Sequence, residues 1–452
     1  MGGVVSRGAR LAALLAVALA AAPALAATGG HVPQLVMLGP IPLDFILFAA
    51  VLLGIALFHH YTFQVAVGGL AVIALYKIVV TGFSTGPGLA GFLGLLGHEA
   101  VTLANLFCLL MGFALLSKHF EDSHVPAALP RFLPGDWKGG FLLLAIVWVL
   151  SSFLDNLAAA LIGGTMAAAV FKGRVHIGYL AGIVAASNAG GAGSVVGDTT
   201  TTMMWIAGVS PIDVAEAFLP AAVALAIFGF VAAKQQHAYQ PIVRDSHAPP
   251  RVDWVRVVIV AFILVAAIGA NVVANLKFPQ VLGTWPVIGT AVVVALLVTA
   301  PLRAPDWTLL PANLRGTIFL LSLVTCAAMM PVEKLPPASW PTTLGLGFIS
   351  SVFDNIPLTA LAIKQGGYDW GFLAFAVGFG GSMTWFGSSA GVALSNMYPE
   401  AKSVGRWVRH GWSVAVAYVA GYLVLLAMLG WHPHVPRTYA APEPPAAVQP
   451  AR

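Results

Sequence analysis

Two short polar segments carry the residue types that could do chemistry in this sequence. Residues 151–156 read SSFLDN and residues 350–355 read SSVFDN, each within strongly apolar surroundings. Hydroxyl, carboxylate and carboxamide oxygens are hard ligands, which suit a small cation better than an anion. The candidate ligands in these segments are Ser151, Ser152, Asp155, Asn156, Ser350, Ser351, Asp354 and Asn355.

Two glycine-rich segments add a second set of polar side chains. Residues 188–202 read NAGGAGSVVGDTTTT and residues 378–391 read GFGGSMTWFGSSAG, and the two align without a gap. Asp198 in the first segment is matched by Ser388 in the second, so the charge is unequally shared. The candidate residues are Asn188, Ser194, Asp198, Thr199, Ser382, Thr384, Ser388 and Ser389.

The carboxylates in these segments could bind either a metal cation or a proton. Burial disfavours the ionised form of a carboxylate, whereas a neighbouring cation favours it. A proton and a cation would therefore compete for the same oxygens, which is the minimum requirement for cation/proton exchange. We interpret Asp155 and Asp198 as the pair that binds the cation or proton, with Asp354 as a contributor.

Each aspartate also has a purely structural interpretation. An Asp before the first residues of a helix is often an N-cap that accepts a bond from a free backbone amide. The two roles can coexist. For Thr201 and Thr202, bonds back to helix carbonyls are the favoured interpretation over cation binding. Ionisable residues at membrane depth are nevertheless candidates for function by default.

The elements that position these segments are predicted to be membrane helices. The chain has 452 residues, 59% hydrophobic and 9% charged, against about 25% charged in soluble domains. The composition predicts an all-α polytopic membrane protein with about ten transmembrane helices and two re-entrant hairpins, in two inverted repeats with broken helices. The lipid bilayer is its expected partner, and nothing supports nucleic-acid binding. Cys108 and Cys326 lie inside predicted helices, so we expect buried, inert thiols.

Run lengths predict the individual elements. Between Lys138 and Lys172 the only charge is Asp155, and the run is too long for one crossing and too short for two. We predict a hairpin there with SSFLDN at its tip, and a second hairpin at 341–363. Broken helices are predicted at 177–209 and 371–397, where glycine disfavours a continuous helix. Single spans are predicted at 43–58, 62–81, 99–117, 214–233, 255–275, 284–301, 312–330 and 411–430.

The order of span, hairpin, broken helix and span occurs twice, which predicts an internal inverted repeat. Treating 341–363 as a hairpin keeps the basic cluster at 402–409 on the cytoplasmic side, as the positive-inside tendency favours. Lys77 is predicted to snorkel to the interface, with a counter-ion role as the less favoured alternative. Glu99 is predicted to lie at the mouth of the third span, and Lys364 to be solvated. A signal peptide is predicted at 1–26, either cleaved or kept as an anchor, and N-terminal helices at 27–98. The two repeats are predicted at 99–234 and 312–430, with linking helices at 235–311 between them. A disordered tail is predicted at 431–452.

Four stretches carry a resemblance to a known family. SSFLDNLAAALIG, AASNAGGAGSVVGDTTTTMMWIAG, SSVFDNIPLTA and GGSMTWFGSSAGVA resemble the paired signatures of NhaD-type sodium/proton antiporters, within the ion transporter superfamily that includes arsenite, citrate and dicarboxylate carriers. The resemblance implies alternating access in a bacterial inner membrane, Na+ and H+ as transported ions, no cofactor, and a homodimer as one option. The transport residues that it implies are Asp155, Asn156, Asp198, Thr199, Asp354 and Asn355, with Na+ at Asp155 and Asp198.

Other functions remain open at this stage. A carrier of the same architecture could couple a cation to an organic anion or oxyanion, held by the N-termini of the hairpin helices. An intramembrane aspartyl protease requires two aspartates in spans, but Val195 stands where its Gly-x-Gly-Asp motif needs the first glycine. A purely structural membrane protein leaves the repeated polar breaks without an explanation.

Overall fold

The computed structural model describes residues 35–58, 61–243 and 251–434. The predicted signal peptide and most of the predicted disordered tail lie outside these residues. Apart from one small antiparallel pair, β1 (Met37–Leu38) with β2 (Ile41–Pro42), the regular structure of the described residues is helical. The predicted all-α class is therefore confirmed for this part of the chain.

The helices of the first half fall into three groups along the chain. Before the first polar segment come α1 (Leu43–Leu57), α2 (Thr62–Tyr76), α3 (Gly88–Glu121) and α4 (Val125–Ala128). The polar segments of this half are held by α5 (Trp137–Ser151), α6 (Asn156–Val170), α7 (Ile177–Ala192) and α8 (Thr199–Ile206). The short α9 (Pro211–Ala215) then leads into α10 (Phe218–Tyr239).

The second half repeats this order after a linking region. The linking helices are α11 (Trp254–Lys277), α12 (Pro279–Leu282) and α13 (Val287–Thr299). They are followed by α14 (Leu310–Ala328), α15 (Trp340–Ser350), α16 (Asn355–Gln365), α17 (Trp370–Gly380), α18 (Ser389–Met397), α19 (Val404–His410) and α20 (Trp412–Leu429). Six helical segments of the described residues are long and apolar enough to cross a bilayer, which makes this a multi-pass membrane protein.

The predicted turns and breaks fall where the sequence placed them. The turn between α5 and α6 is the tetrapeptide 152–155, and the turn between α15 and α16 is 351–354. The first glycine-rich segment separates α7 from α8, and the second separates α17 from α18. Every side chain of α17 is buried, which accounts for its uninterrupted apolar sequence.

The predicted start of the third span is wrong. The sequence predicts that this span begins at residue 99, but α3 begins at Gly88, because the apolar run upstream of His98 continues the helix. Glu99 therefore lies inside a helix rather than at its mouth. Both cysteines are buried, and neither forms a disulfide, as predicted.

The N-terminal helices hold a buried ion pair that the sequence did not predict. Lys77 does not snorkel; it is 2% exposed, and its Nζ lies 2.8 Å from Oδ1 of Asp44, which is 0% exposed. The pair lies beside an apolar cluster that α1 and α2 form with the C-terminal part of α14. Lys77 also opens a short π-helix, Lys77–Thr81, at the end of α2.

We expect Asp44→Asn to lower the free energy of unfolding by about 3–5 kcal/mol, because it leaves the buried Lys77 ammonium without its counter-charge. The measurement is the thermal unfolding midpoint of the purified protein in detergent. The matched control is the double variant Asp44→Leu with Lys77→Met, which removes both charges and should recover most of the loss. A wild-type midpoint for Asp44→Asn alone would contradict the prediction.

Candidate functional site

Four helix N-termini meet at one cavity. The cavity has a volume of about 1010 Å³, and its wall includes the first residues of α6, α8, α16 and α18. Two of these helices begin at hairpin turns and two begin at glycine-rich breaks. A helix can begin in the middle of a membrane protein only where protein or water satisfies its free amides. The four starts therefore define one polar centre.

The two hairpin tips are built in the same way. Asp155 is the N-cap of α6, and its Oδ1 accepts a bond from the amide of Leu157 at 3.0 Å. Asp354 is the N-cap of α16, and its Oδ1 accepts from the amide of Ile356 at 3.0 Å. Both aspartates line the cavity. Because a cap uses one carboxylate oxygen and a carboxylate has two, capping leaves an oxygen available for a ligand.

Asp198 is the most tightly held of the three aspartates. It is 2% exposed and caps α8, with Oδ1 accepting from the amide of Thr200 at 2.8 Å and from its hydroxyl at 2.9 Å. Its Oδ2 accepts from Nδ2 of Asn156 at 2.9 Å. The carboxylates of Asp155 and Asp354 both act electrostatically on Asp198. A cation in this cavity would therefore be attracted by three negative groups at once.

Two buried asparagines connect the halves of the protein. Nδ2 of Asn156 also donates to Oδ1 of Asn188 at 3.1 Å. Nδ2 of Asn188 lies 2.9 Å from Oγ of Ser382 and 3.1 Å from Oγ of Ser388. A continuous chain of bonds thus runs from Asp198 through both asparagines to the N-cap of α18. This chain links the cap of α8 in the first half to the cap of α18 in the second.

Several predicted residues do not line the cavity and have other partners. The Oγ of Ser152 lies 3.1 Å from the carbonyl oxygen of Gly190, which joins the hairpin to α7. Ser194 accepts from the amide of Val196 at 3.3 Å and shapes the break. The hydroxyl of Ser351 donates to Phe348 at 2.6 Å. Ser151 and Asn355 are buried outside the cavity lining.

The threonine run has two roles. Thr199 and Thr202 line the cavity. Thr201 and Thr202 bond back to main-chain carbonyls, each hydroxyl lying 2.9 Å from the carbonyl oxygen of Asp198, as the sequence predicted. Thr200, whose hydroxyl donates to Asp198, is not among the residues that the sequence predicts for transport.

The cavity extends from the three aspartates to a charged mouth. Its wall follows one face of α6 through Leu157, Leu161, Thr165 and Ala169, which corresponds to about 18 Å of helix. The mouth contains charged residues of the end of α3 and the loop after it, namely Lys118, Glu121, Asp122 and His124. Lys118 is the only Lys or Arg among the described lining residues, and it pairs with Asp122 at 3.0 Å.

Some residues of the cavity wall are not predicted by the sequence. Asn313 and Thr317 of α14 and Thr165 of α6 are cavity residues that lie within continuous helices. An isolated hydroxyl or amide in a long apolar helix gives no local signal of the surface it faces. Among the described residues, no three His, Cys, Asp or Glu side chains are grouped closely enough to hold a metal. A cation here would depend on amide, hydroxyl, main-chain and water oxygens as well as carboxylates.

The two halves approach the centre through matched glycines. A Cβ on Gly190 would overlap the carbonyl oxygen of Trp148 in α5, and a Cβ on Gly380 would overlap that of Gly347 in α15. A Cβ on Gly191 would lie 2.7 Å from the carbonyl oxygen of Gly197, and one on Gly381 would lie 2.6 Å from that of Gly387. Each broken helix therefore needs these glycines to lie against its hairpin and its own break.

Known proteins with related sequences are membrane antiporters. The chain is 28% identical to Sodium/proton antiporter 1 of Arabidopsis thaliana, over 75% of this chain and 62% of that protein. It is 28% identical to the Na+/H+ antiporter NhaD of Vibrio cholerae, over 66% of this chain and 73% of that protein. For NhaD of Alkalimonas amylolytica the identity is 27%, over 65% of this chain and 68% of that protein. No protein-family model matches the chain.

The chain is thus a distant homologue of sodium/proton antiporters of the NhaD and plant types, which confirms the resemblance seen in its motifs. The match spans less than two thirds of the plant protein. Similarity alone therefore does not assign the full activity of the plant protein to this chain.

Proposed function

We propose that this protein exchanges Na+ or Li+ for H+ across a bacterial inner membrane by alternating access. The observation that carries the proposal is the cavity: four helix N-termini meet in it, and three of them are capped by aspartates. Three carboxylates in a weakly hydrated centre repel one another, so at least one must be protonated or paired with a cation. Loss of the cation and gain of the proton are therefore coupled at the same oxygens.

Asp155 and Asp198 are the proposed cation and proton ligands, and Asp354 adds negative charge from the second half. Asn156 responds to the ionisation state of Asp198, because the side-chain amide of Asn156 donates a hydrogen bond to Oδ2 of Asp198. Thr199 supplies a hydroxyl at the cavity wall. Asn355 holds the start of α16 beside Asp354; its own carbonyl accepts from the hydroxyl of Thr359 at 2.9 Å.

The proposed architecture is a pair of inverted repeats, 99–234 and 312–430, with two re-entrant hairpins. The cavity wall follows α6 from its tip to Ala169, whereas on α16 it includes only the first turn, at Ile356. This difference supports two hairpin helices that leave the centre in different directions, which is what an inverted repeat requires. Basic residues near the mouth end, including Lys118 and Arg131, favour a cytoplasmic mouth.

A carrier of organic anions is less well supported by this geometry. Such a carrier would use the free amides at helix N-termini to bind its substrate. Here the amides at the start of α6, α8 and α16 already donate to the aspartate side chains that cap these helices. An anion would have to displace a carboxylate from its own cap and approach two others.

The test is a pH-probe assay in membrane vesicles that contain the protein, challenged in turn with Na+, Li+, K+ and citrate. We expect Na+ and Li+ to collapse an imposed pH gradient, with K+ and citrate without effect. Vesicles from cells that lack the protein are the control. A response to citrate that requires Na+, with no response to Na+ alone, would replace antiport by anion uptake.

A further inference from the structure

Lys364 ties the second hairpin to α14 at the end of the molecule away from the cavity mouth. It lies in the last turn of α16, and its Nζ donates to the carbonyl oxygens of Ala328 at 2.5 Å and Met330 at 2.7 Å. Ala328 is the last residue of α14, where helix carbonyls have no partner within the helix. An ammonium group at this position also interacts favourably with the helix dipole.

Other charged groups surround this contact. Glu99 of α3, Glu333 and the buried pair Asp44 and Lys77 all act electrostatically on Lys364. Glu99 is attracted in turn by Lys364 and by its neighbour His98. Lys364 is half-buried, so the prediction that it is solvated is wrong. It lies where α16 and α14 meet α3 and the N-terminal helices.

The position of this cluster relative to the cavity follows from helix lengths. Glu99 and Glu121 belong to the same helix and are about 33 Å apart along its axis, which is close to the thickness of a bilayer core. Glu121 lies at the cavity mouth. About 15 Å of helix separates Lys364 from Asp354, at the cavity's inner end. The aspartates therefore lie between the open mouth on one side and the Lys364 cluster on the other.

We propose that Lys364 is a positioning residue that holds the protein closed at the membrane face opposite the cavity mouth. Access to Asp354 from that face requires α16 to separate from α14 and α3, which breaks the two carbonyl bonds and moves Lys364 away from Glu99. Lys364 thereby biases the equilibrium toward the state that is open at the mouth. This inference rests on the proposed antiport by alternating access.

The test compares the apparent KM for Na+ on the two sides in right-side-out and everted vesicles. A ligand's apparent affinity is reduced by the fraction of protein in the competent state. For Lys364→Gln we expect the KM at the face opposite the mouth to fall by about tenfold or more, and the KM at the mouth to rise about twofold. Lys364→Arg should restore most of the difference, because a guanidinium can still donate to both carbonyls.

Two further variants make the result specific. Glu99→Gln removes a counter-charge but leaves the carbonyl bonds, so it should shift both KM values in the same directions by smaller factors. Lys334→Met removes an exposed positive charge from the nearby loop and should change neither value. Equal changes on the two sides in Lys364→Gln and Glu99→Gln would overturn the proposal. A wild-type protein without Na+-driven proton movement would overturn the proposed function, and this inference with it.

Discussion

Replacing Asp198 by asparagine should reduce Na+-driven proton movement by about 100-fold or more, because losing even an outer-shell partner of a metal ligand costs about 10–100-fold. The variant keeps the size of the side chain and removes its charge and its proton-binding oxygen. Proton and cation could then no longer compete at this position. The measurement is the initial rate of the pH-probe response in vesicles that contain equal amounts of each variant.

A competing explanation for such a loss is that Asp198 only caps α8. A second variant, based on the cap of α18, separates this structural role from cation binding. Asparagine and serine cap helices about as well as aspartate does. At the matching position in the second half, Ser388 caps α18 with a bond from the amide of Gly391 at 3.3 Å. Asp198→Ser should therefore keep the cap as well, yet be as inactive as Asp198→Asn.

The matched control is Asp136→Asn. Asp136 is an exposed N-cap of α5 that accepts from the amide of Lys138 at 3.1 Å, so the same chemical change is made far from the cavity. We expect wild-type rates for it. Wild-type rates in both Asp198 variants would show that the residue is structural and would leave Asp155 and Asp354 as the remaining candidates.

The elements of the fold could be predicted from sequence because their signals are local. Apolar run lengths gave the spans, and the glycine-rich segments gave the breaks between α7 and α8 and between α17 and α18. The three aspartates could be predicted to come together because similar polar segments occur twice in the sequence. Their capping bonds are also local, since each involves an amide two residues later along the chain.

What the sequence could not predict depends on contacts between distant segments. Lys77 and Asp44 form an ion pair between two helices, and the sequence around either residue gives no local signal of its partner. Lys364 finds carbonyls in α14 for the same reason. Ser194 and Ser351 stay predicted supporting residues, and their hydroxyls bond to nearby backbone groups, as serine hydroxyls readily do. Residue type indicates what a side chain can bind, whereas position decides what it does bind.

The matched glycines lead to the second large expected effect, a loss of stability and transport in Gly190→Ala. The new methyl group would overlap a main-chain oxygen of Trp148, and a helix backbone cannot move aside as a flexible side chain can. Overpacking of this kind costs about 1–3 kcal/mol or more. The displaced α5 would also carry Ser152 away from Gly190, and with it the tip that positions Asp155.

The control for this variant is Gly345→Ala in α15, where no atom lies within 4 Å of the added methyl group. Alanine is favoured over glycine in a helix by about 0.5–1 kcal/mol, so this variant should keep or raise the thermal midpoint in detergent and keep the transport rate. Gly380→Ala, which meets Gly347 in the second half, should resemble Gly190→Ala. Matching losses at Gly190 and Gly380 would mean that both hairpins must lie directly against their broken helices for the centre to form. A Gly190→Ala protein with wild-type stability and rate would instead show that α5 can move without disturbing Asp155.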